Sequence, residues 1–179
     1  MKKKALLFLG SGLLVVASAF TYVVYDHYVV TDDFSIDFKS KDPSGSFTKM
    51  DGTIEFDEKD LGASSFNLKI DISSISTGNG MMNKKSQTEE WFNATKYPYA
   101  KFKSTKIDKK DSGYTITGDL TIKGITKLVA IPATLTKSGS KISFKGTFNV
   151  NRMDFKVGHK SDQVPDIMKV SFNVPAITK

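Results

Sequence analysis

The sequence predicts an all-β domain of about eight strands, each half apolar and half polar. Apolar residues recur at every second position over most of the chain from Phe34 onward. Turn-forming clusters separate the rows: Asp42-Pro43-Ser44-Gly45, Ser112-Gly113 and Ser138-Gly139-Ser140. One segment, Gly78 to Pro98, breaks the alternation.

In the first strand Phe34, Ile36 and Phe38 alternate with Ser35, Asp37 and Lys39. In the second, Ile54 and Phe56 alternate with Thr53, Glu55 and Asp57. The third carries Phe66, Leu68, Ile70 and Ile72 against Asn67, Lys69 and Asp71. Ser86-x-x-Glu89 is a capping-box pattern, which predicts a short helix from about Ser86 to Phe92 that Pro98 prevents from continuing. A weaker strand around Phe102 runs from Tyr99 to Ile107. Tyr114, Ile116, Leu120 and Ile122 share a parity with Gly118, and Gly124 separates them from the row Val129, Ile131, Ala133 and Leu135. Ile142, Phe144, Phe148 and Val150 follow in step with Gly146, and Val170, Phe172 and Val174 close the chain.

Strands of this kind have one buried and one solvated face, and they close into a barrel or stack as a two-sheet sandwich. The interior of an eight-stranded barrel is just filled by side chains or holds one small ligand. The inward rows carry Phe34, Phe38, Phe56, Phe66, Leu68, Phe102, Leu120, Phe144, Phe148 and Phe172. They form either an aromatic core without vacancy or the wall of a lipid site. Arg152 continues the parity of Phe144, Phe148 and Val150, at the inner face where that strand ends. It is either a cation at a pocket rim or a strand-end Arg that turns to water or pairs with Asp154 or a loop acid.

The N-terminus reads differently. Lys2, Lys3 and Lys4 precede an uncharged run of 21 residues from Ala5 to Tyr25, the pattern of an export signal. As a cleavable signal peptide its apolar region is Ala5 to Val16 and its cleavage site Ala17-Ser18-Ala19. As an uncleaved anchor the whole run spans a bilayer, which needs about 20 apolar residues. Phe20, Tyr22, Val23, Val24 and Tyr25 prolong the run and favour the anchor, with the lysines cytoplasmic and the rest exported. Residues 1–30 are therefore assigned to export or anchoring, and 31–179 to the folded domain.

Composition excludes several classes. The chain has no cysteine, so disulfide scaffolds, thiol nucleophiles and a lipidated N-terminal Cys are out. With only His27 and His159, one chain cannot build a three-His metal site. The net charge is +7, but Arg152 is the one Arg among 26 cationic residues, unlike nucleic-acid readers that rely on Arg. No G-x-S-x-G elbow occurs, and Gly78-Asn79-Gly80 has Asn83 where a dinucleotide loop needs its third Gly. The acids Asp57, Glu58, Asp60, Glu89 and Glu90 fall at turns or in the expected helix, where they solvate the surface. No acid–base pair emerges, and the expectation is a protein without enzymatic activity or cofactor.

Five stretches, in order, are similar to one family: Gly52–Asp57; Ile70–Asn79; Trp91-Phe92 with Lys96-Tyr97-Pro98 and Phe102–Ser104; Gly118–Lys127; and Asn151-Arg152-Met153-Asp154-Phe155. Together they resemble the YceI-like family over about residues 33 to 179. The resemblance implies a single antiparallel eight-stranded lipocalin-like barrel with one short helix, exported in bacteria. It implies a hydrophobic ligand inside the barrel, a polyisoprenoid or isoprenoid quinone, with fatty acids or their amides as alternatives. By position, Trp91 and Phe92 fall on the family's paired aromatics, Phe102 on the strand after its Tyr-Pro, and Arg152 and Phe155 on its Arg-x-x-Phe motif. Lys156 stands where the family often has Gly, and Phe38-Lys39-Ser40-Lys41 runs into its turn without the family's usual His.

Overall fold

The computed structural model describes residues 26–179, and those residues make one closed antiparallel sheet. The first strand of the barrel is broken into β1 (Asp26–Val30) and β2 (Ser35–Lys39), and the second into β3 (Ser44–Phe47) and β4 (Met50–Phe56). The third comprises β5 (Ser65–Asp71) and β6 (Ile75–Ser76), separated by a 3-10 turn, Ile72–Ser74. After helix α1 (Gly80–Ser86) come four long strands: β7 (Tyr99–Lys110), β8 (Gly113–Ile122), β9 (Ile125–Ser138) and β10 (Lys141–Asn151). A second 3-10 turn, Arg152–Phe155, and a loop lead to β11 (Ile167–Thr178).

β1 and β2 both pair with β11, through Ala176–Thr178 and Lys169–Asn173, so they lie end to end on one edge. β3 and β4 do the same against β2 and β1. Each remaining strand pairs with its neighbour in sequence, and the eleven segments make eight strand positions that meander once round the barrel. The break between β3 and β4 is satisfied locally, because the buried Ser74 hydroxyl oxygen accepts from the Thr48 N–H at 3.2 Å and the Lys49 N–H at 3.0 Å. An eight-stranded antiparallel barrel thus agrees with the expected fold, and the sandwich alternative falls away.

Two boundaries are corrected. Among the described residues the barrel already includes β1, ahead of the expected boundary at residue 31: Tyr28 is 4% exposed and pairs with Ile54 on one side and Thr178 on the other. The alternation of outward His27 with inward Tyr28 is hidden in the sequence because it continues directly from an apolar run. That run, Ala5 to Tyr25, lies outside the described residues. Among the described residues no helix is long and apolar enough to cross a membrane.

The helix also lies earlier than the expected 86–92. Asn79, with extended backbone, caps it by accepting from the Met81 and Met82 N–H groups at 2.9 and 3.2 Å. Ser86 is its last residue, and its hydroxyl bonds back to the Asn83 carbonyl at 2.7 Å instead of opening a new helix.

Inward parity produces two different interiors. At the end where the chain enters, Phe144 meets Phe56 and Phe66 edge to face at 5.0 and 4.9 Å, and Tyr114 closes on Phe56 at 5.4 Å. Ile54, Ile142 and Ala176 pack round these rings with almost no exposure. Further along, rings cover glycines: a Cβ on Gly146 would collide with the Pro132 carbonyl and lie 2.7 Å from the Phe172 ring.

Candidate functional site

The ends of the barrel differ because the loops do. The sealed end carries the short turns at 111–112 and 139–140, the loop 57–64 and the start of β1. The other end carries 40–43, the long connection 77–98 that includes α1, the turn 123–124 and the loop 152–166.

Beneath those longer loops lies a cavity of about 390 Å³. Phe38, Phe47, Ile72, Ile75, Trp91, Phe92, Phe148, Val150, Phe155 and Met168 supply most of its wall. Asp42, Thr77, Lys85, Ser86 and Gln163 stand among the lining residues contributed by the loops and α1, so polar groups ring the mouth. A second chamber of about 100 Å³ lies deeper, walled by Met50, Phe66, Leu68, Phe102, Ile116, Phe144 and Phe172. The two share Ile36, Ile70, Ala100, Leu120, Phe148 and Val170, which form the ring where they meet.

The mouth is held by contacts between the connection 77–98 and the loop 152–166. The Gly158 N–H donates to the Glu90 carbonyl at 3.0 Å. Lys123 Nζ donates to the Glu90 and Lys156 carbonyls at 3.1 and 2.7 Å, and burial holds its ammonium below the ordinary lysine range against the pull of Glu89 and Glu90. Trp91 packs on Gly158, and Lys85 Nζ and Arg152 Cζ each lie 5.8 Å from the indole ring centre. Trp91 Nε1 is the one buried side-chain polar atom without a hydrogen-bond partner among the described residues.

Arg152 lines the cavity but is 4% exposed, and its donors are taken. Nε donates to the Pro165 carbonyl at 3.0 Å. Nη1 donates to the Val157 carbonyl at 2.8 Å and the Met153 sulfur at 3.2 Å. Nη2 donates to the His159 and Val164 carbonyls at 2.9 and 2.8 Å and to Asp166 Oδ1 at 3.2 Å. A guanidinium has five N–H groups, so none remains for a ligand head group. Of the two readings of Arg152, the structure shows the paired one: it ties the loop 152–166 together, and the loop acid Asp166 is its carboxylate partner.

The YceI-like domain matches residues 23–176, nearly all of the described barrel. The chain belongs to the YceI-like family. A UPF0312 protein of Yersinia enterocolitica is 34% identical over 136 residues, 70% of this chain and 71% of that protein. Among solved structures, BcnA of Burkholderia cenocepacia superposes with a TM-score of 0.75 at 28% identity, covering 79% of this chain and 95% of that one. A YceI protein of Campylobacter jejuni gives 0.71 at 25% identity, covering 79% and 88%. A domain from Saccharophagus degradans described as polyisoprenoid-binding shares the fold, with a TM-score of 0.67 at 14% identity over 87% and 100% of the two chains.

Lys156 has φ 53°, a left-handed conformation that closes the 3-10 turn. Of the residues predicted to line the site, Phe38, Trp91, Phe92, Leu120, Phe148, Arg152 and Phe155 face the upper chamber, and Phe66, Leu68, Phe102, Phe144 and Phe172 the lower. Phe34 and Phe56 face neither: Phe34 packs in the break between β1 and β2, and Phe56 belongs to the sealed end. Sequence reasoning missed Phe47, Ile75, Met82, Val157 and Val164, which come from short segments and loops without a period to read.

Proposed function

We propose that the protein binds one amphipathic lipid chain, a polyisoprenoid or isoprenoid quinone, inside the barrel and holds it without altering it. The observation that carries this reading is the 390 Å³ apolar cavity with polar groups at its mouth. Ligand pockets fall in the range of about 300–1,000 Å³ and are mostly apolar with a few polar groups. Enclosing an isoprenoid chain removes surface that costs about 25 cal/mol per Å² in water. Among the described residues of the upper wall, Asp42 is the sole carboxylate, Lys85 the sole lysine, and no histidine is present. The Saccharophagus domain described as polyisoprenoid-binding supports the ligand class. The basic and apolar N-terminus supports an exported protein on the outer side of the cytoplasmic membrane, anchored there or released.

Organic extraction of purified protein followed by mass spectrometry should yield about one lipid per barrel. Delipidated protein should take up prenyl chains saturably, with a change in emission from Trp91, the only tryptophan in the chain and a lining residue. At a ligand concentration of 100 times Kd, binding should stabilise the fold by about 2.7 kcal/mol. Absence of both co-purifying lipid and saturable uptake would leave a structural envelope domain as the reading.

A further inference from the structure

The cavity has a floor. Phe144 lines the lower chamber with one side and meets Phe56 and Tyr114 of the sealed end with the other, at 5.0 and 6.2 Å. Phe144 is 1% exposed and Phe56 2%, so nothing threads past them to the turns beyond. The chambers together enclose close to 490 Å³. An apolar cavity of about 150 Å³ accommodates the six carbons of benzene, or roughly 25 Å³ per carbon. On that scale the barrel encloses about 20 carbons, four isoprene units, with the lower chamber taking about one of them.

We infer that the barrel measures the chain it binds: Phe144 stops the buried end, and isoprenoid beyond about four units emerges through the mouth. This rests on the proposal that the cavity takes a lipid chain, and adds a limit on length and the residue that sets it. The wall is apolar down to Phe144, so each added isoprene unit gains contact until the end of the chain reaches that ring. Units beyond that point lie in the mouth or in water and gain nothing from the interior. Ala100 is the control point above the floor. It lies on the shared ring between the chambers and has the smallest side chain there, so a larger one narrows the passage to the lower chamber.

The test is an affinity series of prenyl alcohols from two to nine isoprene units against the purified protein, followed by Trp91 fluorescence. Affinity should rise by about tenfold or more per unit up to about four units and then level off. Ala100→Leu should bring the plateau down by about one unit. Phe144→Ala should move the plateau up; if that variant does not fold, Ala100→Leu decides alone. Affinity that climbs steadily to the longest alcohol, or a plateau that Ala100→Leu does not move, overturns the length limit while lipid binding stands. Failure of every alcohol to bind saturably overturns both.

Discussion

Arg152 stands against the cavity with every donor committed to the loop 152–166, and its substitution therefore reads on stability. A lysine has three donors on a flexible stem and cannot reach carbonyls on several sides. Arg152→Lys should cost about 2–4 kcal/mol in urea denaturation, from lost charge-assisted bonds and stranded carbonyls, while lipid affinity per folded molecule stays unchanged. A weakened affinity at native stability would restore Arg152 to the head-group site. Tyr28 tests the sealed end by pH. Burial first, and then the hydrogen bond and charge of Asp26 at 3.1 Å, push its phenol up from 10.0 to about 12. The neutral form is the one the fold prefers, so its contribution is complete below about pH 10 and is lost as pH rises through about 12. Tyr28→Phe should flatten the fall in stability over that window; an identical alkaline profile for the two proteins would show that Tyr28 does not contribute to it.

At the scale of elements, the mouth depends on a close approach between two connections. Gly158 has φ +71°, and a Cβ there would lie 2.9 Å from the Trp91 ring. Gly158→Ala should cost about 1–3 kcal/mol by strain and overpacking, and weaken lipid binding by displacing a lining indole. The check is the Trp91 emission maximum beside the binding curve; native values in both would mean the loop yields freely. The sequence made the strands legible because a barrel wall forces period two on every residue it buries. It could not distinguish the filled end from the hollow one, since Phe56 and Phe148 share the same parity rule and differ only in height along the barrel. The partners of Arg152 were hidden for another reason: they are mostly main-chain carbonyls, which every residue possesses and no motif reveals. The helix was misplaced because Ser86-x-x-Glu89 has the form of a cap, while Asn79 supplies the cap that forms.

For the molecule as a whole, β1 completes the closure between β4 and β11. A chain beginning at residue 31 would lose that strand, uncover Ile54 and Ala176, and leave two edges unpaired. It should melt well below a chain beginning at residue 26 and aggregate at lower temperature; equal melting temperatures would show that β1 is dispensable. Asp26 and Lys179 meet at the sealed end, where the Lys179 N–H donates to the His27 carbonyl at 3.0 Å. In a chain trimmed to residues 26–179 a short peptide could therefore join them, allowing new termini to be cut elsewhere by circular permutation. A chain trimmed to residues 26–179 and grafted to a sensor surface through either end would be held by the barrel's closed base, with every mouth turned outward to the solution.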